Sequence, residues 1–513
     1  MKVISFLKMS MATLLFAGLA GCSNDATDLV GGDLDNGTPG KTYFSINLSI
    51  PNDAPTFRAP GDLEGSPTDP GLPIEAVVSQ VDLYFFKTDG TYVSTSSFTT
   101  ELLPPIDQGG STLVASTAKE VALEKDTEYD VCVLVNHAIV SSPGNLATFL
   151  QTAQLDPLAA YSVGFVTPTV TVGLPMAGRT TNPGGTDRVP PVRIKIEQSN
   201  TISAPAVLKF DAERSVAKLL LTPNSATNEY TLTTDGKPGS TTIATAQLQR
   251  YSVVNLMKTG FAFRHAVPVA NLASPLGNYI YGNVVTDNHY IMDPQTHNKT
   301  IAAIGSAAGL YDAHVTAGRT YTGIPADLTN GGVLGYCYEN TTGYEEQKNG
   351  YSTGLVFEAK ITPVLIVQLD GGGDLESVTY SAAGSPANFY YYDGKFFKDL
   401  PAIAKAMNVN VTDLPSTPAA LKLYSIETLT GGICYYNYWI KHLDNNDPDE
   451  MGIMEFGIVR NNVYRMKVTG ISAVGSGLDV IIPEADNEIP MSYMRVEMTI
   501  MPWVVRAQED ITL

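Results

Sequence analysis

The most regular alternation of apolar and polar residues in the chain lies near its N-terminus, over residues 43–50. One face of this stretch carries only apolar side chains: Phe44, Ile46, Leu48 and Ile50. A period of two predicts a β-strand with one buried face. A proline-rich stretch containing Arg58 follows, and exposed extended segments of this kind are preferred sites of proteolysis. The pattern therefore predicts a first strand that a protease can cut away.

The end of the chain has a similar pattern. The last predicted strand, residues 495–505, carries apolar side chains at alternate positions and two more beyond them: Val496, Met498, Ile500, Trp503 and Val504. Pro502 has no N–H group, which places this strand at a sheet edge or at a bulge. Between the two ends, many short apolar runs are separated by Gly, Pro, Asn and Asp, and only residues 145–155 and 400–408 have helical spacing. Such a chain is predicted to be mostly β, with short helices.

The chain has 513 residues, which is longer than one hydrophobic core normally supports, so at least two domains are predicted. A polar stretch over residues 198–206 is the best boundary. It gives an N-terminal domain of residues 59–205 and a C-terminal domain of residues 206–513 that ends in the segment 495–513. The net charge of −20 argues against nucleic acid and against anionic lipid as partners. It favours an acidic surface outside the cytoplasm.

Residues 1–21 have the form of an export signal, because lysines precede a short apolar run and small residues precede Cys22. The sequence Leu-Ala-Gly-Cys resembles a bacterial lipobox, which implies cleavage before Cys22 and acylation of its thiol. An ordinary signal peptide with an incidental cysteine is the alternative. No other run reaches the roughly 20 apolar residues of a transmembrane helix. Residues 22–58 are then a lipidated tether followed by the removable first strand.

Three further cysteines are an odd number for an exported chain: Cys132, Cys337 and Cys434. Each has apolar, strand-like neighbours in the sequence. This setting favours buried free thiols over a disulfide. The spacing by itself leaves the disulfide state open.

No set of residues predicts a catalytic centre, a cofactor site or a metal site. The six histidines are scattered, and the chain has no nucleophile motif and no phosphate-binding glycine loop. Two acidic stretches, residues 370–374 and 444–450, offer oxygen ligands for calcium, but solvated turns explain them better. The aromatic residues of the stretch 389–397 suit a sugar-binding platform or ordinary strand packing, and packing is favoured. We expect no enzymatic activity and no cofactor.

Loss of the first strand would damage the domain that contains it. Burial of its four apolar side chains contributes about 1.5–3 kcal/mol each, so losing them costs very roughly 6–12 kcal/mol as an upper bound. The neighbouring strands would also keep unpaired backbone groups. A strand from a second molecule can fill such a gap, and repeated head-to-tail contacts of this kind produce a filament. The alternative is that both terminal strands pair within their own molecule.

Several motifs resemble those of one family. They are the lipobox, the strand before Arg58, and segments spread over nearly the whole chain, at residues 173–178 (GLPMAG), 213–218 (ERSVAK), 435–439 (YYNYW), 459–464 (VRNNVY) and 496–503 (VEMTIMPW). Together they resemble the fimbrillins of Bacteroidia type V pili, particularly the major subunit of the short, or minor, fimbriae. The resemblance is strongest in the C-terminal third and does not extend to residues 279–345.

The resemblance implies an all-β fold of two tandem transthyretin-like β-sandwich domains and export as a lipoprotein to the outer membrane. It implies cleavage between Arg58 and Ala59 by an arginine-specific or trypsin-like protease, and donation of residues 496–505 with their tail to a neighbouring subunit. The partners are then other copies of the chain and related pilins, in extracellular fimbriae that support adhesion and biofilm formation. Two alternatives remain: a tip or anchor subunit of the same pilus, and a surface glycan-binding lipoprotein.

Overall fold

Most of the described chain is extended, as expected for a sequence with few helical periods. The computed structural model describes residues 41–51, 72–107, 111–137, 143–156, 173–181, 188–189, 191–222, 227–272, 279, 289–296, 320–324, 332–341, 351–382, 388–443, 445–447, 452, 454–479 and 494–502. Strands dominate and helices are short, which confirms the predicted all-β class.

The first eleven strands form one large sheet. They are β1 (Lys41–Pro51), β2 (Val81–Lys87), β3 (Tyr92–Phe98), β4 (Ile106–Asp107), β5 (Ser111–Ala115), β6 (Lys119–Ala122), β7 (Glu128–Val135), β8 (Met176–Thr181), β9 (Arg188–Val189), β10 (Val192–Lys195) and β11 (Ala206–Arg214). The order is β3-β2-β7-β8-β11-β1-β5-β4, and β10, β6 and β9 pair with β7, β1 and β8. The first strand of the chain therefore lies inside the sheet.

The remaining strands build the C-terminal half. They are β12 (Ala217–Thr222), β13 (Glu229–Thr233), β14 (Thr242–Val254), β15 (His265–Pro268), β16 (His289–Met292), β17 (Thr322–Gly323), β18 (Gly332–Cys337), β19 (Gly354–Pro363), β20 (Leu365–Leu369), β21 (Leu375–Thr379), β22 (Phe389–Tyr392), β23 (Lys395–Phe397), β24 (Glu427–Leu429), β25 (Ile433–Trp439), β26 (Asn462–Ile471) and β27 (Met494–Pro502).

Two sheets of the C-terminal half share one core. The order of one is β18-β12-β26-β27, and the order of the other is β13-β14-β19-β25, with β17 beside β14. Leu219 of β12 and Phe357 of β19 belong to the same buried cluster, so the two sheets pack as a β-sandwich. Strands β15 and β16 form a separate hairpin, and β21-β20-β23-β22-β24 form a small sheet inserted in the chain between β19 and β25.

The chain passes from the first sheet to the second over a very short connection, because β11 ends at Arg214 and β12 begins at Ala217. Another buried cluster contains Tyr84 and Phe149 from the N-terminal half and Tyr336 from the C-terminal half. The two halves therefore share apolar packing around this connection. The division at residue 205 and the count of two tandem domains stay predictions. Strand β11, which follows that division in the chain, pairs within the first sheet.

The helices begin where the sequence has capping residues. Helix α1 (Leu146–Thr152) follows Asn145, whose side chain accepts a hydrogen bond from the amide of Thr148. Helix α2 (Leu400–Met407) follows Asp399, whose side chain accepts from the amide of Ala402. A third helix, α3, spans Pro418–Lys422. Short 3₁₀ turns span Pro73–Ala76, Val269–Asn271, Val411–Asp413 and Thr430–Gly432.

The three cysteines inside the sheets are buried free thiols, as predicted: Cys132, Cys337 and Cys434. Burial raises the pKa of each thiol, well above its usual value for Cys132 and Cys337 and to about 12 for Cys434. Among the described residues, no helix is both long and apolar enough to cross a membrane.

Candidate functional site

Strand β1 is paired along both of its edges. On one side it runs parallel to β11, from Phe44 opposite Ala206 to Ser49 opposite Asp211. On the other side it runs antiparallel to β5 and then to β6. Its removal would therefore expose the backbone groups of three other strands along one continuous groove.

The buried face of β1 is the one that the alternation predicts. Its four apolar side chains have no exposed surface: Phe44, Ile46, Leu48 and Ile50. All four belong to the buried cluster of the first sheet, and the ring of Phe44 lies 5.4 Å from the ring of Phe85, centroid to centroid. The strand supplies a central part of the core of the N-terminal half.

Ser116, which lies between β5 and β6, holds the middle of β1 in register. Its hydroxyl accepts a hydrogen bond of 2.9 Å from the amide of Ile46, and its own amide donates to the carbonyl of Ile46 at 3.0 Å. The serine therefore bridges the place where the partner of β1 changes from β5 to β6. The sequence offers no signal for this contact, because a serine between two short strands resembles any other turn residue.

The predicted donor strand is part of the sheet edge of its own molecule. Among the described strands, β27 is the last of its sheet and pairs with β26 alone, antiparallel, from Met494 opposite Ile471 to Pro502 opposite Asn462. Met494 is buried and Met498 is partly buried. Val496 and Ile500 lie in the same strand. An edge position agrees with the expectation drawn from Pro502.

The direction of β27 places its last residue beside the connection between the two halves. Pro502 lies opposite Asn462, and Val463 lies opposite Lys218 near the start of β12. The amide of Asn461 donates a hydrogen bond of 2.8 Å to the carbonyl of Val216. The end of β27 is therefore close to the point where its own chain leaves the first sheet.

Several predicted site residues lie outside the described residues: Cys22, Arg58, Ala59, Trp503 and Val504. Lipidation of Cys22 and cleavage between Arg58 and Ala59 stay predictions. Donation of Trp503 and Val504 to a neighbouring subunit also stays a prediction. The structure does bring two other predicted segments into defined places, with β1 inside the first sheet and β27 at the edge of the second.

The acidic turn of residues 370–374 is closed by its own backbone. The side chain of Asp370 accepts hydrogen bonds from the amides of Gly372 and Asp374, at 2.8 and 2.9 Å. These backbone hydrogen bonds, the one from Asp374 first, lower the pKa of Asp370. Among the described residues, no group of three or more His, Cys, Asp or Glu side chains is placed to hold a metal ion. Of residues 444–450, only 445–447 are described.

The aromatic stretch of residues 389–397 is mostly core. Phe389, Phe396 and Phe397 are at most 2% exposed, and Tyr391 packs on Phe396 with ring centroids 5.0 Å apart. Strand packing therefore accounts for the phenylalanines. Tyr390, Tyr391 and Tyr392 are half-buried on β22.

Comparison with known families gives one match, at the C-terminal end. Residues 427–509 match the family described as major fimbrial subunit protein type IV, fimbrillin, C-terminal. This range contains β25, β26 and β27. It confirms the resemblance to fimbrillins inferred from the motifs, and it supports a pilus subunit. No curated protein matches the chain.

Two solved structures from Porphyromonas gingivalis are similar over most of their length. One is a fimbrilin (FimA), with 15% identity, 90% of this chain and 99% of that chain covered, and a TM-score of 0.39. The other is the tip fimbrial protein Mfa3 with a C-terminal truncation, with 12% identity, 90% and 100% covered, and a TM-score of 0.35.

Proposed function

We propose that this protein, whose residues 427–509 match the fimbrillin family, is a pilus subunit that polymerises by exchange of β-strands. In this proposal the chain reaches the outer membrane as a lipoprotein acylated at Cys22, and a protease cuts after Arg58. The first strand is thereby released, and the C-terminal strand of a neighbouring copy takes its place. The observation that carries the proposal is the position of β1, which is fully buried on one face, paired on both edges, and followed by the predicted cleavage site.

Release of β1 would leave an acceptor that only another strand can satisfy. The groove would have a floor of apolar side chains and two walls of backbone donors and acceptors, from β11 on one side and from β5 and β6 on the other. Unpaired interior edges of this kind favour strand addition from a second chain. Because the donor comes from another copy, each added subunit brings an empty groove or a free donor strand for the next subunit. The assembly therefore grows as a filament.

Strand β27 has the properties of a donor. In the part of the chain that the structure describes, β27 pairs with β26 alone, so it can leave its sheet by breaking the hydrogen bonds to one neighbouring strand. The nine residues Met494–Pro502 approach the length of the eleven residues Lys41–Pro51. Pro502 lies beside the connection to the molecule's own first half. The proposed donor is β27 itself, detached from β26, together with the tail that follows.

This function also fits the rest of the chain. An acidic surface, the export signal and the lipobox suit a subunit that is carried to the outer membrane and assembled outside the cell. Its partners would be other copies of the chain, related pilins and an arginine-specific protease, and the assembled fimbriae would support adhesion and biofilm formation. No enzymatic step by the subunit itself is needed.

The test is controlled proteolysis of the purified precursor. Trypsin should cut after Arg58, Ala59 should become the new N-terminus, and an unboiled SDS gel should show a ladder of multimers that boiling removes. A matched pair of variants tests which residue at position 58 each protease requires. Arg58→Lys should still be cut by trypsin but not by an arginine-specific protease, and Arg58→Gln should resist both at this position.

The donor is tested by deletion of residues 494–513. This variant should be cut after Arg58 as before, but it should give no ladder of multimers. Mixing it with uncut precursor should also give no multimers, because the groove of the precursor is still filled by its own first strand. A cut protein that stays a stable monomer with its first strand bound would overturn the proposal in favour of a glycan-binding lipoprotein. Cleavage without a ladder, combined with binding of one intact copy, would instead indicate a tip or anchor subunit.

A further inference from the structure

The buried basic side chains of the protein are concentrated in one place. Among the described residues, four Lys and Arg side chains are buried, each at most 2% exposed: Arg214, Lys218, Arg264 and Arg460. All four lie around the connection between β11 and β12, where the first half of the chain meets the second. Their burial requires partners, because lysine and arginine are almost never fully buried unless they are paired.

One part of this cluster joins the N-terminal segment to the second sheet. The Nζ of Lys218, on β12, lies 2.8 Å from Oε1 of Glu75, and the hydroxyl of Tyr336, on β18, donates to the same oxygen at 2.6 Å. The other oxygen of Glu75 accepts from the amide of Leu72 at 2.7 Å. The side chain of Glu75 has no exposed surface. One carboxylate thus ties the turn before β2 to two strands of the other half.

The other part joins the end of β11 to the loop that carries Arg264, and Arg460 braces that loop from within the C-terminal half. Oε1 of Glu213 lies 3.5 Å from Arg264. The guanidinium of Arg460 donates to both oxygens of Glu339, at 2.9 and 2.8 Å, and to the carbonyls of two neighbouring loop residues, Phe261 and Ala262. Every described member of these pairs is at most 2% exposed.

Buried ion pairs act differently from apolar contacts. They add little net stability relative to well-packed apolar residues, but separating the partners leaves an uncompensated buried charge. Apolar surfaces tolerate a small sliding displacement, whereas bidentate and charge-assisted hydrogen bonds require one geometry. A contact between two halves that contains such pairs therefore favours one relative position over its neighbours.

We propose that these side chains form a junction network that fixes the two halves of the subunit in one relative position and retains the new N-terminal segment after the first strand is cut away. The contacts of Glu75 with Lys218 and Tyr336, and of Glu213 with Arg264, join the two halves. Glu339 and Arg460 belong to the network because they brace the loop that carries Arg264. The second part of this proposal rests on the proposed function. Glu75 follows the predicted cleavage site, and its carboxylate bonds to Lys218 and Tyr336 of the second sheet. Emptying the groove therefore leaves this anchor in place.

The first experiment measures the relative position in uncleaved protein, so it does not depend on polymerisation. Spin labels are attached at two exposed positions, Ser199→Cys and Thr231→Cys, in a Cys22→Ser background. The double variant Glu75→Met with Lys218→Met replaces the pair by apolar side chains. We expect it to fold, and we expect the width of the label-to-label distance distribution to increase at least twofold. An unchanged width would overturn the proposal.

A matched control uses an ion pair within one sheet. Arg250 on β14 pairs with Glu358 on β19, away from the junction network. The double variant Arg250→Met with Glu358→Met likewise replaces one basic and one acidic side chain by methionine, at a pair whose arginine is half-exposed, and should leave the width unchanged. If it broadens the distribution as much as the junction variant does, the effect is a general loss of stability and the proposal fails.

A second measurement follows the anchor itself by hydrogen exchange. Tyr336→Phe removes one hydrogen bond to Glu75 and leaves the packing almost unchanged, so it should fold even if the double variant does not. We expect the amide of Leu72 to exchange at least threefold faster in Tyr336→Phe and at least tenfold faster in Glu75→Gln, both before and after trypsin treatment. Equal exchange in wild type and Glu75→Gln would overturn the anchoring role. Failure of trypsin to cut after Arg58 would overturn the proposed function and the retention of the new N-terminal segment, whereas the relative position of the two halves is tested by the spin labels alone.

Discussion

Ile46 and Ser116 are joined by two hydrogen bonds, one from the amide of Ile46 to the hydroxyl of Ser116 and one from the amide of Ser116 to the carbonyl of Ile46. Both bonds are lost when β1 leaves in the proposed maturation, and a donated strand has to replace them. The bridge therefore contributes to the stability of the precursor and to the register of the strand in the groove.

The bridge gives the first prediction. Ser116→Ala removes the acceptor for a buried amide, which costs about 1–3 kcal/mol when no other partner is available. We expect the free energy of unfolding of the precursor, measured in urea, to fall by this amount. Ser199→Ala, at an exposed position, serves as the control and should change it by less than about 0.5 kcal/mol. Equal effects of the two substitutions would show that the hydroxyl of Ser116 is not needed.

The second prediction concerns the buried face of β1. Leu48→Ala deletes a fully buried side chain from the core of the first sheet, so it should lower the free energy of unfolding by about 2–5 kcal/mol. Leu423 is 85% exposed, and Leu423→Ala is the matched control with an expected effect near zero. A small loss at Leu48, comparable to that at Leu423, would mean that β1 is not a structural part of the precursor.

The third prediction concerns Gly178, on β8, within the motif GLPMAG. A β-carbon at this position would lie 2.6 Å from Cβ of Val133 and 2.8 Å from Cδ2 of Phe210, closer than any side chain normally allows. We expect Gly178→Ala to destabilise the protein by about 1–3 kcal/mol, as over-packing does in other cores, measured by thermal or urea unfolding. Gly323→Ala, where a β-carbon meets nothing within 4 Å, should leave stability almost unchanged.

The fourth prediction is a pH dependence caused by the buried thiols. Burial raises the pKa of Cys434 to about 12, whereas a thiol in the unfolded chain titrates near about 8.5. Between these values the unfolded chain holds fewer protons than the folded protein, so stability is full below about pH 8.5 and falls as the pH rises, by up to about 1.4 kcal/mol per pH unit and thiol. The free energy of unfolding, measured in urea from pH 8 to 10, should decrease accordingly.

The control for this prediction is Cys434→Ala, which removes one titrating thiol and should make the decrease shallower. A thiol reagent should also react slowly with the folded protein at pH 8 and rapidly with all three thiols in urea, because the thiolate is the reactive form. Rapid reaction of Cys132, Cys337 and Cys434 in the folded protein would contradict their burial.

Local patterns were sufficient for the elements that depend on neighbouring residues. A period of two places Phe44 and Ile50 on one face of a strand whatever the strand pairs with, and Asn145 and Asp399 mark helix starts because their side chains bond to amides three residues away. The expected solvated turn at residues 370–374 is local for the same reason. The lipidation, the cleavage site and the donation remain predictions, since they concern chemistry and partners rather than local backbone preference.

The sequence by itself determined that the chain is mostly β, that its first strand has one apolar face, and that its C-terminal strand suits a sheet edge, because these properties are set by residues close together in the chain. Only the tertiary structure decided that β1 lies between β11 and β5, that Ser116 bridges to Ile46, and that Glu75 meets Lys218. These contacts join residues far apart in the sequence. A single buried charged residue produces no periodic pattern in the sequence. Its partner is therefore identified only from the folded structure, in which the strands lie side by side.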